Sequence, residues 1–424
     1  MPQNSHYILE YIHHFKQFGN VLLLESQKND HPASTKSYLA AKPRAWIKSK
    51  GSEITLFENG EERKSFRNPW DALQEFKKEN KSWIFGYFGY DLKNQIEELE
   101  SDNPSLVELP DMFFMIPEVL IEYSIDGTQK YILGEEEEKT ELFRSEKREI
   151  HIFEKECTKK IEYLEKIKKA QKHISEGDYY EINLSHPLAF EFIGDPLDLY
   201  KSMKANGPVP FASYVFIDDI SICCSSPERF LARKGKKVWS QPIKGTESRN
   251  LETDEEVIDS LYHSEKNRAE NLMIVDLVRN DLSKIAKQGS VKVKDLFEIQ
   301  SFETVHQMVS TVECEVEPET DSIEIIKACF PMGSMTGAPK ISAMKSIEDL
   351  EDYKRGIYSG AIGYFSPNQD FDFNVVIRTA IIENNTLVYP VGGAITSDSN
   401  PEAEWEETLV KARALTNTLD LFIK

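Results

Sequence analysis

Short apolar segments separated by Gly, Asn and Pro run through the first 133 residues: VLLLES at 21–26, SEITLF at 52–57, SWIFGYFGYDL at 82–92 and PEVLIEYSID at 117–126. Apolar stretches of this length, bounded by turn residues, predict mostly strands with a few short helices. At about 134–155 the chain reads GEEEEKTELFRSEKREIHIFEKE, a run dominated by charge that predicts a solvated connector running into a helix. It divides the chain into an N-terminal region, 1–150, and a second region, 151–424. Over 155–176 the residues Ile161, Leu164, Ile167, Ala170 and Ile174 recur at three- and four-residue spacing before Gly177, the mark of an amphipathic helix and its stop. Beyond Gly177 strands and helices alternate, without an internal repeat or a long low-complexity tract.

Composition narrows the class. The 424 residues are 40% hydrophobic and 11% aromatic, enough to build a packed core. A formal net charge of −21 argues against nucleic-acid or anionic-membrane binding, which needs a basic face. No apolar run approaches the roughly 18 residues of a spanning helix, and the start lacks a basic n-region and an apolar h-region, which predicts a cytoplasmic protein. Five cysteines (Cys157, Cys223, Cys224, Cys314, Cys329), an odd number with no CxxC pair, predict buried, reduced thiols. None sits in a GxCxG elbow such as a thiol amidotransferase uses to expose its nucleophile.

Several charged residues stand where a plain core would not put them. In SNPEAEWEETLVKARALTNTL, Asn400 suits an N-cap and Pro401 the first helical position, with Trp405, Leu409, Ala412 and Leu419 as the core face. Glu404, Glu407 and Lys411 then share a separate stripe, which reads either as a solvated face or as one half of a site. The segment SEKNRAENLMIVDLVRNDL is apolar nearly all round and predicts a buried helix, so Glu270 at its head needs a partner. Two glutamates from separate helices suit a magnesium ion; an ion pair of Glu270 with Arg268 or Arg279 is the structural alternative. FPMGSMTGAPKISAMKSIEDL combines Gly333, Gly337, Thr336 and Pro339 into a turn with a helix starting at about Ala338, an anion site by geometry and dipole. The strand pattern DFNVVIRTAII puts Arg378 on one face with Val376, Ala380 and Ile382, so it grips either an anion or a core carboxylate. Its hairpin partner LVYPVGGAI brings Gly392 and Gly393, which permit close backbone approach. Glu228 follows a Ser-Pro turn, and Lys244 precedes Gly245. As a nucleophile Lys244 would have to titrate about three pH units below the usual lysine range, through burial or neighbouring cations such as Arg378 or Lys411.

With these residues in view, the chain resembles the chorismate-utilising family, which includes the component I chains of anthranilate and aminodeoxychorismate synthases and the isochorismate and salicylate synthases. The motifs SPERF, PIKGT, AENLMIVDLVRNDL, GSMTGAPK, IYSGAIGY, IRTA and PEAEWEETLVKA carry the likeness over about 177–420, and LLLES and GYFGYDL extend it more weakly toward the N-terminus. The resemblance implies an α+β, anthranilate synthase component I-like fold of two stacked antiparallel sheets flanked by helices. It implies that Glu270 and Glu407 bind Mg2+, with Glu404 acting through water. Arg378, Lys411 and the Gly392–Gly393 backbone would hold the carboxylates of chorismate, Tyr358 and Thr336 would line the site, and His306 would touch the reacting ring.

Within the family, the anthranilate synthases usually carry alanine where this chain has Lys244, and PIKGT with lysine resembles the branch that makes 4-amino-4-deoxychorismate on the way to 4-aminobenzoate and folate. That branch implies attack of Lys244 on C2 of the ring while Glu228, as general acid, protonates the departing C4 hydroxyl, followed by addition of ammonia at C4. The rival expectation is an anthranilate synthase that carries lysine, and a non-catalytic chorismate- or tryptophan-binding relative is the reading of another class. Glu181 replaces the lysine with which isochorismate synthases activate water, and also departs from the glutamine usual in the amine-forming members. Asn267 departs as well, standing where an acidic residue is common one turn before Glu270. Without a cysteine elbow, ammonia is expected from solution or from a separate glutamine amidotransferase subunit. With no room for an appended lyase domain after Lys424, elimination of pyruvate is expected to be left to another enzyme.

Overall fold

A computed structural model describes residues 5–27, 36–124, 126–136, 150–155, 158–249, 252–302 and 305–417. Its strands join in one hydrogen-bonded network, antiparallel throughout the described residues apart from an isolated parallel bridge between Ser105 and Lys354. Strands from either side of the charged connector pair with each other: Val21–Glu25 with Phe211–Ile217, and Ile84–Phe88 with Ala361–Phe365.

Period-two alternation explains the layering. Along the strand Met112–Ser124, Phe113, Met115 and Leu120 enter one apolar cluster, while Phe114 and Ile116, then Val119 and Ile121, enter two others. The first of these clusters, which also holds Leu22, Tyr87, Val215, Ile222 and Ile381, contains strand and loop side chains and none from a helix. It is the core between two stacked sheets. The other two are helix-on-sheet cores. One takes Trp70, Ile274, Val278 and Ile326 from the helices Pro69–Glu79, Glu265–Ser283 and Ser322–Cys329. The other takes Ile12, Leu199 and Ala412 from Ser5–Lys16, Pro196–Asn206 and Pro401–Thr416. Stacked antiparallel sheets flanked by helices are therefore what the chain forms.

The helix expected over 155–176 runs from Lys160 to Glu176 and ends on Gly177 at φ 89°, a left-handed turn that a residue with a Cβ enters only at a cost. Tyr163, Leu164, Ile167 and Ala170 are its buried residues, whereas Ile161, in the first turn, is exposed. The helix Glu265–Ser283 corrects a second expectation. It buries Ile274, Val275, Val278 and Leu282 against the sheet but leaves Leu272 52% exposed, because it lies on the outside of the sheet and meets it with one side only. Cys223, Cys224, Cys314 and Cys329 are buried and unpaired, while Cys157, Leu419 and positions 137–149 of the connector lie outside the described residues. Among the described residues, no helix is long and apolar enough to cross a membrane.

Candidate active site

Lys244 owes its position to a broken register. The strand Ile243–Ser248 shifts against Val305–Glu315 between Ile243 and Thr246, and Gly245 at φ 86° sits in the shift. A Cβ on Gly245 would stand 3.0 Å from Asn267 Cγ, so glycine lets this edge close on the helix Glu265–Ser283, with Asn267 filling the gap. On the opposite side, Gly337 lies flat across the start of the strand Glu181–Ile193: a Cβ there would come within 2.1 Å of the Glu181 carbonyl oxygen. Glu181 is 1% exposed, and its Oε1 accepts a hydrogen bond from Lys244 Nζ at 2.7 Å. The other oxygen, Oε2, is buried without a hydrogen-bond partner among the described residues. Burial pulls the Lys244 ammonium down, but Glu181, Glu270 and Glu407 outweigh it and hold it above the usual lysine range. The depressed lysine expected of a nucleophile is not what rests in this site, since its neighbours are carboxylates rather than cations.

Glu228 stands at the turn between the strands Ile220–Ser226 and Arg229–Lys234, 5% exposed, with Oε1 accepting from Ser334 Oγ at 2.7 Å. Burial pushes its carboxyl up to about 7, against the lowering pull of the Ser334 hydroxyl, Lys244, the Ile243 backbone and Arg378. The sequence reading missed Ser334, although GSMTGAPK names it two residues from Thr336.

Arg378 does not lie in a continuous strand. Val375 N donates to Glu228 O and Val376 N to Gly360 O, so the chain leaves the sheet after Asn374 and rejoins it at Thr379, with Arg378 at φ 52° in the break. Val376 consequently enters the inter-sheet core while Ala380 and Ile382 enter a helix-side core, which breaks the expected common face. The Arg378 guanidinium has no ion-pair partner among the described residues. Burial lowers it, with Tyr389 and Glu228 opposing. A guanidinium so placed is ready for an anion.

The C-terminal helix Pro401–Thr416 forms as read, with Asn400 accepting from Ala403 N at 3.1 Å and Trp405 and Ala412 buried. Lys411 Nζ lies 2.7 Å from Glu407 Oε1 and donates to Gly392 O at 2.8 Å. Glu404 Oε2, Lys411 Nζ and Glu407 Oε1 all lie within 3.8 Å of the point where a Cβ on Gly393 would stand, so this glycine leaves room over the stripe. Gly392 is fixed differently: a Cβ there would meet Leu184 O at 2.5 Å. Across from the stripe, Glu270 pairs with neither arginine proposed for it. Arg279 bonds Asp276 at 2.9 Å and Arg268 lies over Phe297, while Lys266 Nζ stands 3.8 Å from both Glu270 Oε1 and Glu404 Oε1. Burial raises Glu270 and Glu404; the Lys411 ammonium lowers Glu407. Among the described residues, the three-ligand group whose atoms come within 4.8 Å of one another is His173, Glu176 and Asp178 at the end of the helix Lys160–Glu176, so the three glutamates stand further apart. Their hard oxygens, from two helices with a lysine between them, nevertheless suit a divalent cation that keeps some of its water.

Tyr358 is buried near the Arg355 guanidinium, whose carbon is 5.9 Å from its ring centroid. Thr336 is buried too, its Oγ1 3.2 Å from Met332 O and 3.3 Å from Gly333 O. The helix after it starts at Lys340 rather than at Ala338, because Gly337 and Ala338 pair as a short strand with Ile182 and Glu181. His306 is fully buried on Val305–Glu315, with Nδ1 2.8 Å from Ser301 Oγ and Nε2 3.0 Å from Asp254 Oδ1, so both ring nitrogens are engaged by the protein. Holding this wall together is a buried pair the sequence reading also missed. Arg355 bonds Glu351 at 2.6 and 2.8 Å and donates to Met335 O and Asn183 O, while Glu351 Oε1 accepts from Ser185 N and Oγ.

The chorismate binding enzyme family model matches residues 19–417. Anthranilate synthase component 1 of Aquifex aeolicus is 30% identical, over 94% of this chain and 89% of that one. Aminodeoxychorismate synthase component 1 of Bacillus subtilis is 31% identical, over 88% of this chain and 84% of that one. The crystal structure of anthranilate synthase component I from Streptococcus pneumoniae superposes with a TM-score of 0.79 at 28% identity, covering 92% of this chain and 93% of that one.

Proposed function

The chain belongs to the chorismate binding enzyme family, and on that premise we propose that it is a chorismate-aminating enzyme, converting chorismate and ammonia to 4-amino-4-deoxychorismate. The observation that carries the reading is a buried carboxyl with a pKa near 7, Glu228, sharing a site with a buried amine, Lys244. A general acid works best when it titrates near the working pH, and a ring hydroxyl leaves only if it is protonated as the bond breaks.

In this reading Arg378, Lys411 and the Gly392–Gly393 backbone bind the two carboxylates of chorismate, with Tyr358 and Thr336 lining the ring. The Lys244 nitrogen forms a bond to C2, the ring double bond shifts, and the C4–O bond breaks with its electron pair on oxygen. Glu228 gives that oxygen its proton, so water leaves. Ammonia then bonds to C4, the double bond shifts back, and the Lys244 nitrogen departs with the C2–N electron pair. Glu228 takes the extra proton from the new ammonium and is ready again. His306, with both nitrogens held, acts here through shape and not as a proton carrier. Glu270 and Glu407, with Glu404 outside them, would hold Mg2+, which when bound neutralises a substrate carboxylate and fixes its orientation. The reaction takes ammonia from solution or from a separate glutamine amidotransferase subunit, in the cytoplasm.

The 30% likeness to an anthranilate synthase component 1 supports a second reading, in which ammonia adds at C2 and pyruvate leaves to give a fluorescent aromatic. Incubation of the chain with chorismate, magnesium and ammonium salt, with separation of the products, decides between them. Aminodeoxychorismate from the wild type, lost or diverted toward anthranilate in Lys244→Ala, supports amination through the lysine. Anthranilate or isochorismate from the wild type overturns it.

A further inference from the structure

Lys244 does not rest as a free amine, and the group that holds it is Glu181. Glu181 is 1% exposed, its Oε1 2.7 Å from Lys244 Nζ and its Oε2 buried with no hydrogen-bond partner among the described residues. A buried carboxylate oxygen without a donor costs on the order of 1–3 kcal/mol or more, and the cost falls when the carboxyl carries a proton. A proton on Glu181 and a neutral amine on Lys244 is thus a charge-free alternative to the ion pair, reached by moving one proton along an existing hydrogen bond.

Resting on the amination reading above, we propose that Glu181 is the proton acceptor that turns the Lys244 ammonium into the nucleophile, and the donor that restores it. The proton moves from Lys244 Nζ to Glu181 as the N–C2 bond forms, and the nitrogen becomes a secondary ammonium on the ring. When ammonia has bonded to C4, Lys244 leaves as a neutral amine and Glu181 returns the proton. Glu228 handles the C4 side independently, losing its proton to the hydroxyl and regaining one from the new C4 ammonium, so the sum is chorismate plus ammonia to product plus water. The charged groups bearing on Lys244 are Glu181 from the strand Glu181–Ile193, Glu270 from the helix Glu265–Ser283, Glu407 from the C-terminal helix and Glu228 from the turn after Ile220–Ser226. Among the described residues, Glu181 alone of the carboxylates lies within ion-pair distance of the ammonium. It acts through Lys244 and is a positioning residue.

The test compares wild type, Glu181→Gln and Glu181→Asp with magnesium present. The first readout needs no turnover: labelling of Lys244 by trinitrobenzenesulfonate, followed at that residue by mass spectrometry as pH is raised. The half-point should fall by at least about one pH unit in Glu181→Gln, the size expected for loss of an opposite charge at this distance, and should move back toward the wild-type value in Glu181→Asp. The second readout is kcat/KM for chorismate at constant free ammonia. Wild type should turn over without an acid limb at the Lys244 half-point, because the proton passes inside the pair; Glu181→Gln should show a limb that coincides with its own half-point. An unchanged half-point in Glu181→Gln, or a wild-type limb that tracks Lys244 protonation, overturns the proposal. Failure of the amination reading looks different: it shows as another product from the wild type, or as full turnover by Lys244→Ala, while the labelling result stands by itself.

Discussion

Glu228 illustrates how one side chain trades stability for chemistry. Its carboxyl titrates near 7 against an ordinary 4.5, so the folded protein resists its ionisation. The associated stability is intact at pH below the unfolded value and is lost as pH rises through about 7, where the cost reaches roughly 3 kcal/mol. Glu228→Gln keeps an acceptor for Ser334 and removes the charge. It should melt higher than wild type above pH 7, match it at about pH 4, and show almost no turnover; thermal melts at the two pH values with a product assay check this. Activity of the wild type should likewise fall as pH rises through about 7, in a profile of kcat/KM at constant free ammonia. Arg378 makes the converse case: its partly buried guanidinium has no ion-pair partner among the described residues, so Arg378→Ala should raise KM for chorismate by about 10- to 100-fold with little loss of stability in urea. The candidates could be picked out because Lys244, Glu228, Glu270 and Arg378 are charged residues in apolar or glycine-rich text, while the roles proposed for them come from the family resemblance. What was not legible is that Lys244 faces carboxylates: Glu181 lies 63 residues away in the chain, and no periodicity links them.

Elements bring these residues together mainly through their irregularities. Regular segments could be read from pattern: the helices Lys160–Glu176 and Pro401–Thr416, and strands such as Val21–Glu25, because their spacing and caps are local. The site sits instead at the register shift beside Gly245, the break at Arg378 and the short strand Gly337–Ala338, each decided by backbone partners distant in sequence. Counting by twos through DFNVVIRTAII fails for that reason. So does the buried-all-round reading of the helix Glu265–Ser283, since its composition could not say that one side alone would meet the sheet. The pair Arg355–Glu351, both side chains 1% exposed, ties the turn Gly333–Met335 and the strand Glu181–Ile193 to the segment before Tyr358. Glu351→Gln removes one buried charge and strands the other, at a cost of about 3–5 kcal/mol. Urea unfolding should report that loss.

On the scale of the molecule, the acidic surplus and the site have separate jobs. The chain carries a net charge of −21, so in the proposed function a substrate anion would be held by the local contacts of Arg378 and Lys411 against the field of the whole. In the proposed function Glu270 and Glu407, with Glu404, hold the cation that orients the substrate. Chelation by EDTA should therefore abolish turnover while leaving the melting midpoint of the apo chain in place. Magnesium at a hundred times its dissociation constant should add about 2.7 kcal/mol of stability, seen as a higher midpoint in calorimetry. The core between the sheets has a consequence in time rather than space. Val21–Glu25 finds its partner in Phe211–Ile217, and Ile84–Phe88 finds its own in Ala361–Phe365. Contacts separated by so much chain give little return until long loops have closed, which makes folding slow and leaves early strands with open edges while the later ones are still being synthesised. The ribosome must deliver about half of the chain before the first strand can be paired on both sides, so cool, slow expression should give the larger share of native protein.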